Sequence, residues 1–237
     1  MSLGNVGSPL ATGEGSRYTS GFLACLAEAR RATGRDVGSG AILEEGQTGN
    51  WLGAVGYMTL LDQIGTCFRP KGVRRVDGPA IVQCLAHWAP ELDPAERLAL
   101  YALRCAIAHD FSLINVNPRE PALQHRFALD RMRGGPVVRL PAEQWTCDIT
   151  DSRRDNTTFI SIREFGELAD AIARRVVGAA PSGVELQLPG GSAELFHRYG
   201  ILIADVEPRA WHRFEARVNA IEPVAGVSTA PIGIFDA

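Results

Sequence analysis

Two residue types with complementary chemistry stand close together in the segment Leu103-Arg104-Cys105-Ala106-Ile107-Ala108-His109-Asp110-Phe111. Arginine keeps its charge at any physiological pH and forks two N–H groups toward a phosphate. Histidine, with an ordinary pKa near 6.5, can take or give a proton near neutrality. An arginine five residues before a histidine is common on amphipathic helices. What lifts this pair is its apolar frame, because a charge carried among apolar residues needs compensation. On an ideal helix the two positions lie about 140° apart. They converge on one ligand only if the helix ends between them or the long Arg104 side chain bends round.

Other chemistry is sparser. Arg69, Lys71, Arg74 and Arg75 form a basic cluster between two expected helices and are candidates to contact phosphate. A solvated loop is the simpler account of them. Arg126, Arg131, Arg133 and Arg139 fall on a β-prone stretch, where alternation places several on one face and Asp130, Asp148 and Asp151 could neutralise them. His87, His125, His197 and His212 share no metal-ligand spacing, so neither a metal site nor a cofactor is expected. Pro189-Gly190-Gly191-Ser192 could cradle a phosphate at a helix start but lacks the lysine of a P-loop, so a plain turn is favoured.

The elements that position these residues follow from periodicity and capping. Residues 1–15 read as a disordered tail. Apolar spacing from Tyr18 to Ala32 predicts a first helix stopped by Gly34, and Asn50 caps a second that runs from Trp51 to Phe68. This second helix is apolar around much of its circumference and belongs in the middle of a bundle. A third starts at Gly78-Pro79 and stops before Pro90, and Asp93-Pro94 opens the fourth, which carries Arg104 and His109. Short β-prone runs near 125–162 predict a small antiparallel meander, and a fifth helix follows from about Arg163 to Val177. Beyond Pro181 the expectation is an extended Val184 to Leu188, a helix from Ser192 to Tyr199, an apolar Ile201 to Val206 and a helix from Pro208 to Asn219. The expected architecture is mainly α: a helical bundle over 16–180 with a β insertion, then a mixed α/β extension or small subdomain over 181–237.

Composition narrows the classes. A hydrophobic share of 46% with 22% charged residues suits a folded globular chain, and no stretch approaches the roughly 20 apolar residues that span a bilayer. Five cysteines without a C-x-x-C pair read as reduced thiols, so the cytoplasm is the expected compartment. A net charge of -3 confines any phosphate binding to local patches. Of the 24 basic residues only Lys71 is lysine. With abundant Ala, Gly and Pro, that points to coding bias rather than to phosphate affinity.

Arg104-x4-His109 at the end of a strongly helical segment, preceded by helices of suitable length, resembles the HEPN proteins, helical bundles that carry an R-x4–6-H motif. The resemblance covers roughly Tyr18 to Asn115, with the helix from Arg163 to Val177 as the last bundle element. It implies a metal-independent endoribonuclease leaving 2′,3′-cyclic phosphate ends, in which a homodimer brings two Arg–His sets to a shared cleft. His109 would be the general acid or base, Arg104 the electrostatic clamp and Asp110 an orienting group. The family usually places a polar residue, often asparagine, after the arginine, where this chain has Cys105. That departure bears on catalysis more than on fold. The alternative is a non-catalytic module that binds a nucleotide or a protein partner of the antitoxin type in a defence or toxin-antitoxin system.

Overall fold

The computed structural model describes residues 17–47, 50–130, 134–151, 153–179 and 183–203. The expected tail over 1–15, the expected helix from Pro208 to Asn219, and Arg131, Arg133 and His212 lie outside them. The described chain is mixed α/β, with about half of it helical. In order it runs β1 (Arg17–Ser20), α1 (Gly21–Ala32), α2 (Trp51–Cys67), β2 (Phe68–Pro70), α3 (Ala80–Trp88), α4 (Pro94–Asp110), β3 (Ile114–Asn115), β4 (His125–Asp130), β5 (Val138–Arg139), β6 (Thr158–Ser161), α5 (Ile162–Ala179), β7 (Val184–Leu186), α6 (Gly191–Tyr199) and β8 (Gly200–Ile203).

The helix starts are written in single side chains. Asn50 accepts the amide of Leu52 at 3.0 Å to begin α2. Asp93 and Glu96 close a reciprocal capping box at the start of α4, with Pro94 in the first turn. Ser20 accepts the amide of Phe22, so α1 starts at Gly21 and Tyr18 lies instead in a strand that pairs antiparallel with β8.

Helix α2 is the centre of the bundle. Tyr57, Leu60, Leu61 and Ile64 are buried on it, and α1 and α3 flank it. The crossing with α3 is close: a methyl group at Gly65 would stand 1.8 Å from the carbonyl oxygen of Ala80. Only glycine fits there.

The small sheet departs from the antiparallel meander expected of residues 125–162. Its order is β3-β4-β6-β5, and β4 and β6 run parallel, with Phe127 opposite Thr158 and Asp130 opposite Ser161. Strand β5 turns back onto the outer edge of β6 in antiparallel register. A parallel pair needs a crossover connection of about a dozen residues or more. The chain between β4 and β6 is long enough to provide one, and alternation within a strand carries no information on pairing direction.

Residues 183–203 join the same core. Strand β7 pairs with β2, and Leu188 and Leu195 are buried in the central apolar cluster. The loop after α1 is fastened to α5 by two buried arginines. Arg30 meets Asp170 at 2.8 Å and donates to the carbonyls of Val37 and Gly38, while Arg35 meets Glu167 and the carbonyls of Gly40 and Arg163.

Candidate functional site

Helix α4 runs unbroken through both Arg104 and His109. It ends one residue after Asp110 at Phe111, which adopts left-handed geometry with φ of 50°. The amide of Ser112 bonds to the carbonyl of Ala106 and that of Phe111 to Ile107, a closing pattern typical of helix ends. The Phe111 ring rests edge-on against Trp51, with centroids 4.4 Å apart, which fixes this end of α4 to the start of α2. No helix end falls between Arg104 and His109, so the two point away from each other around the axis.

Arg104 faces α2. Its Nε donates to Oδ2 of Asp62 at 2.7 Å, and its terminal nitrogens make no hydrogen bond among the described residues. The other oxygen of Asp62 accepts the amide of Ile81 at 3.1 Å, in the first turn of α3. One carboxylate thus holds an arginine of α4 and the start of α3.

This ion pair lies in the wall of a cavity of about 280 Å³. From α2 come Val55, Met58, Thr59, Asp62, Gln63 and Thr66, a stripe at helical spacing, and from α4 come Arg104, Ile107 and Ala108. Tyr199, the last residue of α6, completes the lining. Its ring packs against Phe22 with centroids 4.8 Å apart. Its hydroxyl neighbours Cys67, and burial together with that contact pushes the phenol up to about 12. Thr59 and Thr66 donate to the carbonyls of Val55 and Asp62 one turn back, which leaves their oxygens as acceptors. Oε1 of Gln63 is buried without a hydrogen-bond partner among the described residues.

His109 is exposed in the last turn of α4 and is not part of the cavity lining. Asp110 is exposed beside it. Cys105 also stays off the cavity, and the Tyr101 hydroxyl one turn earlier bonds to it, which raises the Tyr101 pKa together with partial burial. Within one chain the fold brings Arg104 to Asp62 and Gln63, and does not bring His109, Asp110 or Cys105 to that wall.

The basic cluster is divided as well. Arg69 lies in β2 and pairs with Glu185 across the ribbon at 2.8 Å, and Arg75 donates to Gln83 at 3.3 Å. Lys71 and Arg74 are exposed in the loop between them. On the small sheet, Arg139 pairs with Asp130 at 3.6 Å and covers the Phe159 ring, while Arg126 donates to the carbonyl of Asp151. The glycine turn before α6 carries its own anion, because Glu194 accepts the amide of Gly190 at 2.8 Å. Among the described residues no group of three or more His, Cys, Asp or Glu could hold a metal ion, and no helix is long and apolar enough to cross a membrane.

Asp62, Gln63 and Tyr199 line the cavity without having stood out as candidates in the sequence. For Asp62 a signal existed: it is the lone charged residue in the seventeen of α2. A single carboxylate on the central helix of a bundle calls for a cation from a neighbour.

A scan against protein-family models finds no match to this chain, and neither curated proteins nor solved structures yield one.

Proposed function

We propose that the chain acts on RNA in the manner of HEPN proteins, with Arg104 as phosphate clamp and His109 as proton-transfer group in a cleft completed by a second copy. The observation that carries this reading is the state of the two side chains. Neither is consumed by the core: Arg104 is aimed by one carboxylate with its terminal nitrogens unbonded, and His109 is exposed a turn and a half further along the same helix.

The two terminal nitrogens of a guanidinium can grip a phosphate oxygen pair and stabilise charge that builds there during in-line attack. A histidine at the attacking side takes the proton of the 2′-hydroxyl as that oxygen bonds to phosphorus and the P–5′-O bond breaks, and the departing 5′-oxygen takes a proton from the second histidine of the pair or from water. The helix separates the two groups by about 7.5 Å along its axis and about 140° around it. A partner copy that lays its own His109 against the Arg104 wall supplies the missing group.

The specific observation favouring the alternative is the Arg104–Asp62 ion pair, which neutralises the clamp and supports binding of a nucleotide or protein partner without cleavage. The test is incubation of mixed-sequence RNA in EDTA with the unaltered chain, Arg104→Ala and His109→Ala. Expected are cyclic phosphate ends from the unaltered chain and a loss of at least a hundredfold in both folded variants. Intact RNA throughout would leave the binding module as the account of this site.

A further inference from the structure

We infer that the cavity between α2 and α4 is a pocket for a single nucleobase bearing an exocyclic amine, with the attached phosphate held by Arg104. This deepens the RNA reading and rests on Arg104 as a phosphate ligand, though not on cleavage.

Size sets the first limit. At about 280 Å³ the cavity lies just under the roughly 300 Å³ at which pockets for drug-sized ligands begin, so one ring system fits and an oligonucleotide does not.

Shape and polarity set the second. Two helical stripes face each other, and Val55, Met58, Ile107 and Ala108 give the slot apolar walls against which a flat ring can lie. Asp62 cancels the charge of Arg104 inside the slot. A bare anion therefore gains little by entering, whereas a neutral ring with its anionic group at the terminal nitrogens of Arg104 uses both halves of the site.

Hydrogen bonding sets the third. Gln63 belongs to the lining, and its carbonyl oxygen is turned inward, withdrawn from water, with no donor to meet it among the described residues. Such an acceptor costs free energy until something binds it. Turning the amide toward the slot would let an exocyclic amine donate to it, the pairing by which a glutamine reads the edge of adenine. The Thr59 and Thr66 oxygens, which still have lone pairs, lie on the same stripe.

The experiment is calorimetric titration of the full chain with adenosine 5′-monophosphate, purine riboside 5′-monophosphate, ribose 5-phosphate and inorganic phosphate. Gln63→Leu and Thr59→Trp are titrated alongside, with thermal melts to establish that both fold. Adenosine monophosphate should bind about tenfold more tightly than the purine riboside analogue, since without the amine the Gln63 carbonyl is left unpaired. Gln63→Leu should erase that tenfold difference. Thr59→Trp, an addition at an exposed helix position that fills the slot, should abolish nucleotide binding.

Equal binding of ribose 5-phosphate or inorganic phosphate overturns the pocket, as does a preference that survives Gln63→Leu, or no nucleotide binding at all. RNA cleaved without adenosine monophosphate bound would remove the pocket and leave the nuclease reading intact. Nucleotide bound in a Gln63-dependent way without cleavage would do the reverse.

Discussion

Among the arginine–carboxylate pairs of the described residues, Arg30–Asp170 and Arg104–Asp62 sit in surroundings that make them different devices. In the node between the loop after α1 and α5, Arg30 uses its Nε and both terminal nitrogens on Asp170, Val37 and Gly38, and its side chain and that of Asp170 are 9% and 2% exposed. At the cavity, Arg104 and Asp62 are 35% and 23% exposed, and only Nε is engaged. Full engagement makes an arginine a rivet. Partial engagement aims it and leaves donors for a ligand. On the proposed reading, the exposed and unbonded terminal nitrogens of Arg104 are what separate it from Arg30.

Removing one carboxylate at a time separates the two pairs. Asp170→Ala leaves Arg30 buried and unpaired and should cost about 3–5 kcal/mol in urea unfolding. Nucleotide affinity of the protein that remains folded should not change, and a loss below about 1 kcal/mol would contradict the rivet assignment. Asp62→Asn keeps an oxygen for the Ile81 amide and removes only the charge beside a partly exposed arginine. Screening limits the stability loss to under about 1 kcal/mol. Inorganic phosphate should bind this variant more tightly than the unaltered chain, because the guanidinium is no longer neutralised, and weaker binding would mean that Asp62 serves the ligand directly.

The smallest expected effect comes from acid. Both arginines stay charged, so mild acid reports on histidine. Burial depresses the His125 pKa, partly offset by its bond to the Ala122 carbonyl, and the ring also contacts the Thr158 hydroxyl at 2.8 Å. Burial also lowers His87, with help from the charge of Arg69. A folded-state pKa below the unfolded one means stability that is present above about pH 6.5 and is lost as pH falls through the folded value. Melting temperature should drop from about pH 7 to about pH 5, and His125→Gln should flatten the drop. An unchanged slope would assign the acid sensitivity elsewhere.

The comparison also explains what was legible in the sequence. Caps and breakers are local, so Asn50, Asp93-Pro94 and Gly78-Pro79 placed α2, α4 and α3 within a few residues, and Arg163 to Val177 anticipated α5. Pairings between distant residues carry no such mark. The parallel register of β4 and β6, the strand at Tyr18 and the partnership of Arg104 with Asp62, 42 residues earlier, are decided by packing of finished elements. Arg104 and His109 were visible as chemistry, yet their division between two faces of α4 became plain only when the helix proved continuous. Gln63 offered no signal, since an amide on a helix is ordinary until its carbonyl is found enclosed.

Gly65 lies less than one turn beyond Asp62 and admits the carbonyl of Ala80 to within 1.8 Å of where a methyl would stand. That contact sets how near α3 comes to α2, and hence whether the Ile81 amide can reach Asp62 at all. In terms of mutational tolerance, the position has an alphabet of one letter although it touches no ligand. Sequence variation at the site is therefore constrained from behind, by a residue whose only contribution is the absence of a side chain.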